Sequence, residues 1–297
     1  MPPKSTLMDT KNEKERKMKK TILAAALMLT MAAGQSYGFS INFNSQNMNT
    51  ALGDQSGKSS PYGVDATNTA LSGYAIETFD QRGSAATTVQ VPKSGGGFYT
   101  VNVPAGAGFN TLDPTNEMIS YSGGFGIQRG STGYAAAPAG DSTFFAYAPG
   151  QGNTSAQIGV DYTNFIQSFG VRISYLGLYY GSIDTYNNLE FYSGANKIHG
   201  SGILADGVVT GQEILTAMNG TSGNQFQPGS NVYVNLFFDA NDPIFTSFRF
   251  NTSGVAFEAD NMVAGFTPVP EPGTMALLGF GMLGLAIFGK RRMNKEA

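Results

Sequence analysis

The sequence has no cysteine, no tryptophan and a single histidine among its 297 residues. Without cysteine, disulfides, thiolate nucleophiles and cysteine-ligated metals are excluded, so the fold must be held by its core, by sheet hydrogen bonds or by bound ions. His199 stands between Ile198 and Gly200 with no nucleophile motif nearby. A Walker loop, G-x-S-x-G, H-E-x-x-H and a dinucleotide fingerprint are also missing. We therefore expect no enzymatic activity.

Charged residues are scarce as well, at 13 %, and the basic ones are concentrated at the two ends. Of the 18 Lys and Arg residues, seven lie in residues 1–20 and four in residues 290–295. Residues 39–270 keep seven basic and sixteen acidic residues, a net charge close to −9. Binding of DNA or RNA needs clustered cations, so this balance excludes nucleic acid as a partner.

The first 38 residues have the order of a secretory signal peptide. Residues 1–20 are polar and basic, an apolar run follows from Ile22 to Ala33, and small residues end the segment at Gly38. This order predicts cleavage by signal peptidase between Gly38 and Phe39. Residues 1–17 form an extension that is unusually long for such a segment, and we interpret Met18 as the true translation start.

A second apolar run lies near the C-terminus, in residues 274–289. It is flanked by two polar groups, Pro270, Glu271, Pro272 and Gly273 before it and Lys290, Arg291 and Arg292 after it. The prolines keep the predicted linker, residues 267–273, extended and accessible. As a helix, the seventeen residues from Gly273 to Gly289 span about 25 Å, just enough to cross a bilayer. The alternative, a buried C-terminal helix, is disfavoured because no face is polar. The run therefore predicts a transmembrane helix with a basic cytoplasmic tail, residues 290–297.

Pro270-Glu271-Pro272, the apolar run and the terminal Arg/Lys cluster together resemble the PEP-CTERM sorting signal of Gram-negative bacteria. The resemblance covers about Val269 to Arg292. It implies an exosortase, a membrane-embedded transpeptidase that removes the helix and passes the protein to the cell surface or extracellular matrix. The expected location is therefore the inner membrane before processing and the exterior afterwards.

Between these ends, residues 39–266 predict an all-β domain. Its predicted strands are Thr87–Val91, Phe98–Val103, Ser168–Leu176, Leu189–Ser193, Val232–Phe238, Phe245–Phe250 and Val255–Glu258. The first two form a predicted hairpin. One short helix is expected from the capping-box spacing of Thr210 and Glu213 to the stop at Asn219. These elements favour an antiparallel β-sandwich of jelly-roll type.

A second resemblance concerns this domain. The segments Leu178–Asn187, Glu190–Tyr192 and Ala256–Asn261 are similar to a family of exosortase-dependent surface proteins, in which a Trp usually stands at the position of Tyr180. The resemblance implies a surface β-domain without a defined molecular activity. We therefore predict a structural or adhesive component of the cell surface, the extracellular matrix or a biofilm.

Three predicted turns contain carboxylates and amides that could bind a ligand: Asp184 and Asn187 in one, Asp239, Asn241 and Asp242 in another, and Glu258, Asp260 and Asn261 in the third. Hard cations bind such oxygens, so Ca²⁺ is a candidate cofactor. The alternative needs no ion, because Asp and Asn favour turns through bonds to local backbone.

Five tyrosines cluster around the first of these turns: Tyr175, Tyr179, Tyr180, Tyr186 and Tyr192. Aromatic faces beside carboxylates can bind sugars, so the alternative function is a carbohydrate-binding, lectin-like surface module for extracellular polysaccharide. Tyrosine also packs well in strands, which explains the cluster without a ligand. A glycoside hydrolase is the least favoured alternative, since nothing in the spacing shows that two carboxylates meet.

Overall fold

The computed structural model describes residues 38–48, 55–80, 87–92, 98–103, 119–269 and 277–285. The chain divides into two units, Met1–Gly38 and Phe39–Ala297. Their boundary coincides with the predicted cleavage point, and the predicted signal peptide before Gly38 lies outside the described residues. All elements named below belong to the second unit.

Two antiparallel sheets contain most of the strands. Six of the seven strands of the first sheet follow the order β1 (Ser40–Asn42), β15 (Val232–Phe237), β11 (Val171–Gly181), β17 (Phe257–Pro268), β9 (Phe144–Ala148) and β8 (Gly126–Arg129). The seventh, β4 (Tyr74–Glu77), also pairs with β17. The six-stranded second sheet has the order β13 (Asn196–Lys197), β12 (Asn187–Ser193), β16 (Ser247–Thr252), β10 (Ala156–Asp161) and β7 (Ser120–Ser122), with β14 (Val208–Thr210) paired to β12.

Two hairpins complete the described strands. One joins β2 (Gln46–Asn47) to β3 (Lys58–Ser59), and the other joins β5 (Thr87–Pro92) to β6 (Phe98–Val103). The second hairpin is antiparallel with Thr87 opposite Val103, which confirms the hairpin predicted there. The structure confirms the all-β, antiparallel class, while the jelly-roll connectivity stays a prediction.

The two sheets enclose one hydrophobic core. Leu176 and Leu178 of β11 face Leu189 and Phe191 of β12 across it, and all four side chains are fully buried. Burial of this kind stabilises a domain by about 25 cal/mol for each Å² of apolar surface removed from water. Since no disulfide is available, this shared core is the main source of stability.

Strand β11 is buried on both faces. Ile173, Leu178 and Tyr180 point into the core, while Tyr175 and Tyr179 on the outer face are only 3 % and 0 % exposed. The N-terminal part of the domain covers this outer face. One contact that shows this is the 2.5 Å distance between the Ser60 and Tyr175 hydroxyls. The first sheet is therefore an inner layer, and its outer face is not available to solvent at these positions.

The strand predicted over Ser168–Leu176 begins too early. Helix α1 (Thr163–Phe169) occupies its first residues and ends at Gly170, which has a left-handed φ of 60°. The apolar alternation from Phe169 suggested a strand, but the Phe169 ring packs 4.8 Å from Phe165, one helical turn back. Glycine at this position adopts the left-handed conformation without steric cost and stops the helix.

Helix α2 (Gly211–Met218) confirms the predicted helix. The Thr210 hydroxyl accepts a bond from the Glu213 N–H, the Glu213 carboxylate accepts one from the Thr210 N–H, and Asn219 closes the helix at φ 52°. The expectation of a single helix in the domain was wrong, since the domain also contains α1. The sequence did not predict α1 because its N-cap residue makes no side-chain cap bond that a sequence pattern would reveal.

Residues 277–285, inside the predicted transmembrane run, are helical, and their side chains are exposed. Among the described residues, no helix has both the length and the apolar character needed to cross a membrane. The transmembrane helix over residues 274–289 stays a prediction.

Phe39 is the first residue after the predicted cleavage point, and it lies in the core. It is 0 % exposed, stacks on Phe238 at a centroid distance of 4.8 Å and meets Phe191 edge-on at 5.3 Å. We expect Phe39→Ala to lower the free energy of unfolding by about 3–5 kcal/mol, measured by denaturant unfolding of the purified protein. The control is Phe226→Ala, because Phe226 is 85 % exposed and its loss should cost less than about 0.5 kcal/mol. Equal effects of the two variants would contradict the burial of Phe39.

Candidate functional site

The polar residues of β17 are arranged around a β-bulge. Asp260 lies opposite Tyr179 and Val263 opposite Gly177, so Asn261 and Met262 together oppose Leu178. Asn261 has a left-handed φ of 48°, a conformation that Asn adopts more readily than most residues. Met262 packs in the core, whereas the Asn261 side chain bonds to polar partners away from it and the Asp260 side chain lies near Asp141. The bulge thus places two consecutive polar side chains on the outer face of the sheet.

Asn261 connects β17 to the N-terminal segment that covers it. Its amide nitrogen donates to the Ser56 hydroxyl and the Lys58 carbonyl, both at 2.8 Å. Its amide oxygen accepts a bond from the Asn68 amide at 2.8 Å. An amide can satisfy donors and acceptors at once, so this one buried side chain, 0 % exposed, fixes three points of the covering segment.

Asp260 has no such partners. It is 0 % exposed, and among the described residues neither of its carboxyl oxygens has a hydrogen-bond partner. Asp141, in the loop before β9, is 8 % exposed and also leaves one carboxyl oxygen, Oδ2, without a partner. Burial raises the pKa of Asp260 well above its usual range, and the neighbouring carboxyls of Asp141 and Asp80 raise it further. Burial also raises the pKa of Asp141 to about 6. Both buried carboxyls therefore hold their protons to a higher pH than an exposed aspartate does.

Glu258 is a second buried carboxyl on the same strand, 2 % exposed. It accepts a bond from the Ala136 N–H at 3.0 Å and another from the Ser182 hydroxyl at 2.7 Å. Burial raises its pKa to about 8, against the opposing effect of these two bonds. Through these two bonds the Glu258 carboxyl holds the loop that contains Ala136, called the 136 loop below, and the end of β11 against β17. In its protonated form it does so without a buried charge.

The predicted ligand residues do not converge on one site, although the Asp184 carboxyl lies near enough to Glu258 to contribute to its raised pKa. Asp184 accepts bonds from Tyr186 and Ser222, and the buried Asn187 donates to the Ala256 carbonyl. Asp242 accepts a bond from the Asp239 N–H at 2.6 Å, at the other end of the domain. Glu258, Asp260 and Asn261 lie inside a strand, where they are buried, and not in a turn. In the described ranges, no group of three or more Asp, Glu or His side chains is placed to hold a metal ion.

The tyrosine cluster is not an open platform. Tyr175, Tyr179, Tyr180 and Tyr192 are between 0 % and 6 % exposed. Gly177 makes room for part of this packing, because a Cβ there would lie 2.3 Å from the Tyr175 hydroxyl and 2.6 Å from that of Tyr233. These ring faces pack against protein, so a sugar cannot stack on them.

The fold ends directly before the predicted processing residues. Pro268 pairs with Val171 at the end of β17, and the Val269 N–H donates to the Gly170 carbonyl at 3.0 Å. The strand thus continues through Pro268, beyond the start of the predicted linker at residue 267. The predicted sorting residues, Pro270 to Gly273 and Lys290 to Arg292, lie outside the described residues.

A family model described as the PEP-CTERM protein-sorting motif matches residues 268–292. The chain carries a PEP-CTERM sorting signal. The match includes both polar groups and the apolar run between them, and it supports a PEP-CTERM protein that is an exosortase substrate. The PEP-CTERM signal implies export and processing at the membrane. No curated protein matches the chain.

Several residues of the buried polar site were not predicted. Asp141, Ser56 and Asn68 meet β17 from sequence separations of more than one hundred residues, so no local pattern could have identified them. A partial signal existed at β17 itself, since Glu258, Asp260 and Asn261 interrupt the apolar first half of the strand.

The raised carboxyl pKa values predict that the domain loses stability as pH rises. Unfolded Asp and Glu titrate near about 4, whereas Asp141 and Glu258 titrate near 6 and 8 in the folded state. Between the unfolded pKa of about 4 and the folded pKa of each group, the folded protein holds protons that the unfolded chain releases. The free energy of unfolding therefore decreases as pH rises through this interval. We expect the midpoint of thermal unfolding to fall between pH 5 and pH 9.

Glu258→Gln should flatten the upper part of that pH profile, because glutamine does not titrate. Asp65→Asn is the matched control. Hydrogen bonds from Thr67 and Thr69 hold the pKa of Asp65 below its usual range, so it stays ionised across this interval. A midpoint that rises with pH, or an unchanged profile in Glu258→Gln, would contradict the assignment.

Calcium binding is testable in the same assay. Because the three predicted turns do not converge, we expect equal unfolding midpoints in excess Ca²⁺ and in chelator. Any ligand that binds only the folded state raises its stability by mass action. A midpoint that rises with Ca²⁺, and no longer does so in Asp260→Asn, would contradict this expectation and locate an ion at the acid pair.

Proposed function

We propose that the chain is an exported cell-surface or extracellular-matrix protein with a structural or adhesive role and no catalytic activity. Signal peptidase cuts between Gly38 and Phe39, residues 274–289 hold the protein in the inner membrane for a time, and exosortase cuts near Pro270–Gly273. The folded β-domain is then the part that reaches the exterior.

The sorting motif is the observation that carries this proposal. It matches residues 268–292 and begins inside the last strand of the folded domain. The sorting signal directly follows a folded domain. Release of the chain from the membrane at this signal would deliver that domain to the exterior. The close packing of the domain around a large core supports the same role, because a protein without disulfides depends on its core for stability outside the cell.

The burial of the unusual carboxyls supports a non-catalytic role. Strongly shifted pKa values often mark catalytic acids, but such groups must reach a substrate. Glu258 and Asp260 are 2 % and 0 % exposed. Each lies under a covering segment, Glu258 under the 136 loop and Asp260 beside Asp141. The hydrogen bonds of Glu258 to Ala136 and Ser182 explain it as a group that holds a loop onto the sheet.

The carbohydrate-binding alternative receives no support from the residues that suggested it. Four of the five clustered tyrosines are buried, and Tyr186 donates its hydroxyl to Asp184 and to the Val255 carbonyl. A glycan-binding surface would have to use other parts of the chain.

The test is the C-terminal residue of the protein recovered from the cell exterior, determined by intact mass. We expect a chain that ends near Pro270–Gly273 when an exosortase is present and an intact chain when it is deleted. Replacing Pro270, Glu271 and Pro272 by alanine should leave the full-length, membrane-bound form. Pro243→Ala, a proline outside the matched residues, is the control. An external protein that still ends at Ala297 would refute the proposal.

A further inference from the structure

The folded domain and the sorting motif share residues. Thr267 and Pro268 pair with Arg172 and Val171 in the sheet, and the Val269 N–H is bonded to Gly170. The matched motif begins at residue 268. No flexible spacer therefore separates the last hydrogen bond of the sheet from Pro270, the next residue in the sequence.

This continuity limits how far the processing enzyme can stay from the domain. Four extended residues, from Pro270 to Gly273, reach at most about 14 Å from Val269. Eight residues bring the chain to Leu277, at most about 28 Å away. An enzyme that binds the Pro-Glu-Pro segment, which begins one residue after Val269, therefore works close to the end of the domain where β17 stops.

That end carries an open groove of about 720 Å³ beside Thr267, Pro268 and Val269. Its apolar part includes Phe238 and Ile244, and Ile244 is 43 % exposed. Asp239 and Asp242 lie on the 239–242 loop at the rim, and Arg172 also lines the groove but is only 9 % exposed, so the charge that reaches solvent there is mainly acidic. The groove is therefore apolar inside and acidic at the edge.

The loop that forms the rim is held in place. The Arg172 guanidinium donates to the Ala240 carbonyl at 2.7 Å and also to the Asp239 carbonyl. The Asp242 carboxylate accepts a bond from the Asp239 main-chain N–H. The Asp239 side chain takes no part in this bond and is exposed. A rigid, preformed surface binds with a smaller entropy loss than a mobile one.

Building on the proposed function, we propose that this end of the domain, which we call the exit face and define by Asp239, Asp242, Ile244 and Thr267–Val269, is a docking surface for the processing enzyme. The enzyme face that it fits carries basic side chains around an apolar contact, since the rim is acidic and the groove apolar. The domain thereby contributes to recognition of its own sorting signal.

The experiment compares two variants that introduce the same charge at opposite ends of the domain. Ile244→Lys changes the exit face, and Val255→Lys changes a residue of similar exposure, 36 %, just before β17 begins. The readout is the rate at which full-length chain loses its C-terminal segment in exosortase-containing cells, followed by intact mass after pulse labelling. We expect Ile244→Lys to slow processing about tenfold, because like charges oppose docking, and Val255→Lys to process at the wild-type rate.

Asp239→Lys provides a second variant in case Ile244→Lys does not fold, since the bonds of Asp239 to Arg172 and Asp242 use only its main chain. Wild-type processing rates in both exit-face variants, with native unfolding midpoints, would overturn the docking surface. If the alanine replacement of Pro270, Glu271 and Pro272 still blocks processing in that case, the proposed function stands and only the docking surface falls. If that replacement has no effect either, the proposed function fails as well.

Discussion

The pairing of β17 with β11 is the interaction on which the rest of this structure depends. Both strands are buried on their two faces, so every polar group along them needs a partner that is not water. At the bulge, the Asn261 amide finds such partners in Ser56, Lys58 and Asn68, to which it is hydrogen-bonded. The covering segment and the central sheet are thus held together by polar contacts as specific as the packing of the core.

The buried carboxyls extend the same arrangement to a second covering segment. Glu258 accepts the Ala136 N–H, and Asp260 lies beside Asp141, which also caps the Thr143 N–H at 2.7 Å. Two ionised carboxylates side by side in this position would repel each other, and the Asp141 carboxyl is accordingly one of the causes that raise the pKa of Asp260. Glu258 thus joins a loop to the strand through two hydrogen bonds, which is a structural role.

Local signals were readable in the sequence and long-range ones were not. The capping box of α2, the β5–β6 hairpin and the sorting motif each occupy a short continuous segment whose residues carry the whole signal. The last strand, predicted only over Val255–Glu258, runs through Pro268, because the bulge at Asn261 breaks the two-residue alternation. Phe169 suggested a strand because it extends the alternation of Val171 and Ile173 by one step, although its ring packs on Phe165 inside helix α1.

The candidate ligand residues show the same limit. Asp260 and Glu258 resemble turn residues by type, but the segments that bury them come from Ser56–Asn68 and the 136–141 loop, far away in the sequence. Composition can indicate that a residue is polar; only the fold decides whether water reaches it.

The burial of Phe39 bears on how the protein can be labelled for imaging. A reporter joined directly ahead of Phe39 would sit next to a ring that packs between Phe238 and Phe191, and under the proposed processing one joined after Ala297 would be removed with the sorting segment. The loop around the exposed Phe226, between α2 and β15, is the place where an inserted tag would accompany the domain to its destination without disturbing the core.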